Sequence, residues 1–131
     1  MLRSFRRWSG PGGGPLSLQI EAPGAPVSES TSLLQVSVRH DLNRRAPVVV
    51  RVPLPPGAML AAPAEGVRQV QGALYIRATL DADPLPRVLA IPLRFALSGS
   101  VTLPEAVARI EDEELPTARA PARPLIIRPK R

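Results

Sequence analysis

The sequence predicts an all-β protein, an antiparallel β-sandwich of about seven strands with disordered basic termini. Short runs in which apolar and polar residues alternate recur along the chain, and this is the pattern of a strand with one buried face. The 17 prolines disfavour long helices, because proline lacks a backbone N–H and clashes with the preceding turn. Clusters of turn-forming residues separate the runs at intervals typical of a sandwich.

Charge and composition divide the chain into three predicted parts. Residues 1–15 hold three arginines and no acid among many glycines and prolines, and we expect this N-terminal segment to be disordered. Residues 16–118 hold nine arginines against eleven acids and form the predicted β-sandwich domain. Residues 119–131 hold five basic residues and no acid, and we interpret them as a Pro/Arg-rich C-terminal tail, with the option of a short last strand at 125–127. The two ends therefore carry all of the net positive charge, and the net charge of the whole chain is +6.

The first strands follow from period-2 alternation of apolar residues. Residues 16–20 and 34–38 place apolar side chains on one face and polar ones on the other, and residues 47–53 place Val48, Val50 and Val52 on one face. The pair Pro56-Gly57 predicts a tight turn, because proline presets φ and glycine adopts positive φ without strain.

The strongest strand patterns lie in the second half, at residues 73–80 and 87–97, after a weaker run at 67–70. Pro92 cannot donate a ladder hydrogen bond, so the strand that contains it is expected at a sheet edge or bulged there. A further strand is predicted at residues 100–103.

Residues 105–115 are compatible with a helix or a strand. By propensity they could form a helix with Pro104 in its first turn. The acids at 111–114 would then sit at the unfavourable end of the helix dipole. We favour a short strand at 106–110 followed by an acidic loop.

Catalytic and metal-binding patterns are sparse. The chain has no cysteine and one histidine, His40, at a strand end, where a capping or surface role is expected and no general base is predicted. Ser98-Gly99-Ser100 lacks the residues of a nucleophile elbow and is interpreted as a turn. The run 111–114 could hold a hard cation such as calcium, but contiguous acids are more typical of a solvated loop. We therefore expect no enzyme activity, no catalytic residue, no cofactor and no metal.

The N-terminus resembles the basic start of a signal peptide, but residues 9–15 form a Gly/Pro linker where an apolar stretch would be needed. We expect no signal peptide and no membrane span, since prolines and charges interrupt every apolar run.

Two segments carry a resemblance to a known family. Residues 50–59 read VRVPLPPGAM, a strand that enters a proline-glycine corner. Residues 91–114 read IPLRFALSGSVTLPEAVARIEDEE, a long strand, a glycine, a short strand and an acidic segment. In this order and spacing the chain resembles the C-terminal β-sandwich domain of bacterial alpha-2-macroglobulin-like protease inhibitors, as an isolated fragment without the thioester.

That resemblance implies a domain that packs on a larger protein, typically periplasmic or on the cell surface, and no catalytic residue carries over. The leading hypothesis is a non-catalytic protein-interaction module whose partner is a larger alpha-2-macroglobulin-like chain or a protease. Tyr75, Arg77 and Arg94 form the candidate interaction surface, because Tyr and Arg are enriched among binding hot spots. The alternative is a binder of nucleic acid or an anionic surface through the basic tails. Nucleic acid is the less expected partner, since the charge lies outside the predicted domain.

Overall fold

The computed structural model describes residues 15–22, 25–83, 85–111, 113 and 117–130, and of the predicted disordered segment 1–15 only Pro15 falls among them. This described part forms strands and no helix, so it offers no helix that could cross a membrane. Its strands are β1 (Leu16–Glu21), β2 (Thr31–His40), β3 (Ala46–Pro53), β4 (Ala58–Leu60), β5 (Val67–Val70), β6 (Ala73–Leu80), β7 (Arg87–Phe95), β8 (Gly99–Leu103), β9 (Ala106–Ile110), β10 (Thr117–Ala120) and β11 (Arg123–Ile127). The predicted all-β class is confirmed.

The strands form a sandwich of two antiparallel sheets with a small two-stranded sheet beside them. The first sheet has the order β1-β2-β7-β4, and the second has the order β10-β9-β3-β6-β5. Strands β11 and β8 form the two-stranded sheet. The eleven strands exceed the predicted number of about seven, because short strands such as β4 and β10 carry little periodic pattern.

The core lies between the inward faces of the sheets and is almost entirely aliphatic. Side chains alternate between the two faces of each strand, so every second residue points inward. Val36 and Val38 of β2 face the core from the first sheet, and Val50 and Ile76 face it from the second. Phe95 is the single aromatic residue in the described core. This burial is why the alternation was visible in the sequence.

Two tight turns depend on positive φ. The amide of Ala58 donates to the carbonyl of Pro55 at 3.2 Å, and Gly57 has a φ of 81°, so the predicted turn at Pro56-Gly57 is confirmed as a type II turn. Gln71 and Gly72, with φ of 49° and 79°, join β5 to β6 in a two-residue hairpin loop. Positive φ at both positions is the mark of a type I′ turn, which fits the twist of the strands.

Strand β7 forms the sheet edge only as far as Pro92, the position at which the prediction from Pro92 placed an edge or a bulge. It pairs with β2 along most of its length and with β4 over its last residues. The amide of Ala61 donates to the carbonyl of Pro92 at 2.9 Å, so the backbone groups of residue 92 face β4 and not β2. The missing N–H therefore costs no bond to β2, and the pairing of β4 with β7 ends there.

The segment that sequence patterns left open is a strand. Residues 106–110 form β9, as favoured, and the helix alternative is wrong. Of residues 119–131, interpreted as a tail with an optional last strand at 125–127, residues 119 and 120 belong to β10 and residues 123–127 form β11. Ala118 and Ala120 are buried while Thr117 and Arg119 are exposed, so β10 follows the period-2 rule with small residues as its inner face.

Candidate functional site: an arginine-rich sheet face

The outer face of the five-stranded sheet carries one arginine on each strand. In the order of the sheet these are Arg119, Arg109, Arg51, Arg77 and Arg68, on β10, β9, β3, β6 and β5. All five are exposed. On β10, β9, β3 and β6 the residues that flank the arginine are mostly buried, so the arginine occupies the outward phase of its strand. We call these five arginines together with Tyr75 the arginine face.

Strand register sets the arginines in two neighbouring rows. Arg51 lies opposite Tyr75, which lies opposite Arg68. On its other side Arg51 lies opposite Val107, which lies opposite Arg119. This first row crosses all five strands, with an arginine on every second one.

The second row holds the remaining two arginines. Val49 of β3 lies opposite Arg77 on one side and opposite Arg109 on the other. Because positions 49 and 51 are two residues apart on one strand, the rows are separated by about 6.6 Å along the strands. Neighbouring strands are about 4.8 Å apart, so successive arginines alternate between the rows as the sheet is crossed.

Carboxylates of this chain already pair with two of the arginines. Arg119 Nη1 donates to Glu105 Oε1 at 2.7 Å, and Arg77 forms an ion pair with Glu111. Both arginines keep more than half of their side-chain surface exposed, at 54% and 69%, so these pairs are largely solvated.

The other three arginines have no carboxylate partner within the described ranges. Arg51 Nε donates to the hydroxyl of Tyr75 at 3.3 Å, and its guanidinium lies 6.0 Å from the centre of the tyrosine ring. This distance is at the limit of a cation–π contact. No described carboxylate lies within ion-pair distance of Arg68 or Arg109. The face therefore has an excess of positive charge with free guanidinium donors.

A shallow groove marks one end of this face. It has a volume of about 450 Å³ and is open to solvent. Its lining combines apolar floor residues with the arginine face and consists of Val49, Gly66, Val67, Arg68, Tyr75 and Arg77. A groove with a small apolar floor and a cationic rim suits a side chain that carries a negative charge.

The structure brings together two of the three residues predicted as an interaction surface. Tyr75 and Arg77 are consecutive outward residues of β6, next to the β5 end of the arginine face. Arg94 lies on the outer face of the other sheet, opposite Thr31 and Met59. It is exposed but belongs to a separate surface.

Sequence patterns missed Arg51, Arg68, Arg109 and Arg119. Arg51 and Arg109 alternate with buried residues in strands that the sequence predicts, so their outward direction follows from the alternation. Arg119 was assigned to the tail. Their adjacency depends on the pairing of distant strands, which alternation does not encode.

His40 and the described residues of the acidic run have partners within the chain. His40 is 1% exposed, and both ring nitrogens are engaged, one with the carbonyl of Asp81 and one with the amide of Leu42. Within the acidic run, Glu111 pairs with Arg77 and Glu113 with Arg44, while Asp112 and Glu114 lie outside the described residues. Among the described residues no group of three or more histidine, aspartate or glutamate side chains could hold a metal ion.

Known proteins resemble this chain in fold and not in sequence. No family model matches the sequence, and a search of curated proteins finds no match. A crystal structure of the CARDB domain of the PF1109 protein from Pyrococcus furiosus, in complex with di-metal ions, superposes with a TM-score of 0.51 and 15% identity over 88% of this chain and 94% of that one. A solution NMR structure of the same domain gives a TM-score of 0.50 and 15% identity over 87% and 94%. At this identity the likeness concerns the fold alone.

The expected resemblance to the alpha-2-macroglobulin-like terminal domain is wrong. The structural neighbours are CARDB domains, and nothing in the comparisons points to a protease inhibitor. The two sequence segments that suggested it, at 50–59 and 91–114, encode a proline-glycine corner and a long strand followed by a glycine. Antiparallel sandwiches of many families use these features.

Proposed function

We propose that the chain is a non-catalytic binding module whose arginine face binds an acidic surface of a partner protein. One observation carries the proposal: each strand of the five-stranded sheet presents an outward arginine, and three of these arginines have no carboxylate partner in the described part of the chain.

The chemistry of the face suits carboxylates. A guanidinium presents its donors in a planar fork that matches a carboxylate, and it is less strongly hydrated than an ammonium group. Tyr75 adds a ring and a hydroxyl between Arg51 and Arg68, and Tyr and Arg are enriched in binding hot spots. With Tyr75 as its only aromatic side chain, the face offers a single stacking position, which favours a protein partner over single-stranded nucleic acid.

The absence of catalysis is part of the proposal. The sole histidine is buried with both nitrogens engaged, so it cannot accept a proton from a bound substrate. The di-metal ions of the PF1109 domain are not carried over to this chain, because the described residues contain no ligand cluster for them.

The test is a binding titration with a fluorescein-labelled decaglutamate peptide, followed by fluorescence anisotropy. The variant Arg51→Gln/Arg68→Gln/Arg109→Gln removes the three arginines that have no described carboxylate partner. It should weaken binding by about tenfold or more, because each exposed charge pair with the peptide contributes about two- to fivefold in affinity. The matched control Arg45→Gln/Arg94→Gln/Arg128→Gln removes the same charge from exposed positions off the face and should bind like wild type.

Two outcomes would contradict the proposal. Equal weakening by both triple variants would mean that decaglutamate responds only to net charge. Tighter binding of a labelled deca-thymidine oligonucleotide, lost in the face variant, would assign the arginine face to nucleic acid.

A further inference from the structure

The arginine face does more than concentrate charge, because its arginines alternate between two rows. In the sheet order from β10 to β5, the row of Arg51 takes its arginines from β10, β3 and β5. The row of Arg77 takes its arginines from β9 and β6. A segment that runs across the strands between the rows therefore has arginines on both sides.

We infer that the element recognised by this face is an extended acidic segment of about six residues that crosses the strands and carries carboxylates on both sides. The inference rests on the proposed function and specifies its ligand. The five strands span about 19 Å, which equals about six residues of extended chain at about 3.3 Å each. Successive side chains of an extended chain point to opposite sides, so a segment with acids on both sides meets both rows.

The carboxylates of the chain itself support this reading. Glu105 and Glu111 pair with arginines of different rows, Arg119 of the first and Arg77 of the second. Each row thus already accepts a carboxylate. These two glutamates also occupy donors that the bound segment would use, so they compete with it.

The two rows allow a test that distinguishes the placement of carboxylates on both sides of a peptide from the total charge of the peptide. Two labelled dodecapeptides have the same length, composition and mean charge density: one repeats Glu-Glu-Gln-Gln and the other repeats Glu-Gln. In an extended conformation the first presents carboxylates on both sides and the second on one side only. We expect the first peptide to bind about threefold or more tightly, since it can pair with one or more additional exposed arginines.

A second experiment looks for a gain of affinity, because a misfolded variant would lose affinity for the peptide. The variant Glu105→Gln/Glu111→Gln frees Arg119 and Arg77 while it keeps side-chain shape, and should bind the Glu-Glu-Gln-Gln peptide about two- to fivefold more tightly than wild type. Glu21→Gln/Glu29→Gln is the matched control, because both residues are exposed and lie off the arginine face.

The outcomes distinguish this inference from the proposed function. Equal affinity for the two dodecapeptides, or no gain in the Glu105→Gln/Glu111→Gln variant, would overturn it even where decaglutamate binds and the face variant loses that binding. Failure of decaglutamate to bind at all would instead remove the proposed function and this inference with it.

Discussion

His40 Nε2 lies 2.7 Å from the carbonyl oxygen of Asp81, and this contact ties the end of β2 to the loop that follows β6. The other ring nitrogen, Nδ1, accepts a hydrogen bond from the amide of Leu42 at 3.1 Å. Because Nδ1 accepts, the neutral ring carries its proton on Nε2 and donates it to Asp81. One buried side chain therefore joins the two sheets at this end of the sandwich.

Replacement of His40 by alanine should destabilise the fold. The change leaves a cavity at a site that is 1% exposed and removes two hydrogen bonds, so we expect the free energy of unfolding to fall by about 2–4 kcal/mol. Chemical denaturation followed by circular dichroism measures it. Asp81→Ala is the matched control: the contact uses only the backbone carbonyl of Asp81, so this variant should stay within about 0.5 kcal/mol of wild type. Equal losses would show that the ring does not provide the link.

Gly66 and Gly72 should respond differently to alanine although both have positive φ, at 74° and 79°. A Cβ at Gly66 would lie 2.6 Å from the carbonyl oxygen of Arg77, whereas nothing lies within 4 Å of a Cβ at Gly72. Gly72→Ala should cost about 1–2 kcal/mol through backbone strain. Gly66→Ala should cost at least about 1 kcal/mol more, since it also displaces the backbone that accepts from the Arg77 amide.

The same denaturation measurement compares the two glycine variants. Gly66 also lines the groove on the arginine face, so decaglutamate affinity should fall in Gly66→Ala and remain in Gly72→Ala. Similar losses of stability in the two variants would contradict the close approach of residue 66 to Arg77.

Pro92→Ala should extend the pairing between β4 and β7 with little change in stability. The carbonyl of residue 92 already accepts from Ala61, and in an antiparallel pair the new amide would donate back to the Ala61 carbonyl. A gain of about 1 kcal/mol from this bond is offset by about 0.4–1 kcal/mol from the freer unfolded chain. Hydrogen exchange should show a protected amide at residue 92; a freely exchanging amide would contradict the assigned direction of its backbone groups.

Binding of decaglutamate to the arginine face should weaken steeply with salt. The charges are exposed, and the screening length falls from about 10 Å at 0.1 M salt to about 3 Å at 1 M. We expect the affinity to drop by roughly tenfold or more over this range, while far-UV circular dichroism stays constant. A salt-independent affinity would mean that apolar contacts, and not the arginines, hold the peptide.

Sequence patterns identified the elements whose side chains alternate strongly. Strands β3, β6 and β9 begin or end within one residue of their predicted limits, because each has one face in the core. Strand β4 was missed, since its three residues are too few to show a period. Strand β10 was missed because alanine supplies its whole inner face and is a weak marker of burial.

Sequence patterns predict only the part of the candidate site that lies on a single strand. Tyr75 and Arg77 are neighbours on one strand, so their shared direction follows from alternation alone. Arg51 and Arg119 become members of one row only through the register of β3, β9 and β10. The net charge of residues 16–118 does not reveal the arginine face either. The acids of that segment offset its arginines in the sum, although they lie away from the face or at the margin of the face.

Because each strand contributes one arginine, the proposed binding surface does not depend on the loops between the strands. The spacing of the charges is set by the hydrogen-bonded ladder, while the loops between strands contribute no arginine to the face. Residues 62–63 between β4 and β5, for instance, could be lengthened or exchanged without moving any of the five guanidinium groups to another strand. Such a scaffold could diversify its loops, or accept insertions there, and keep one ligand geometry unchanged.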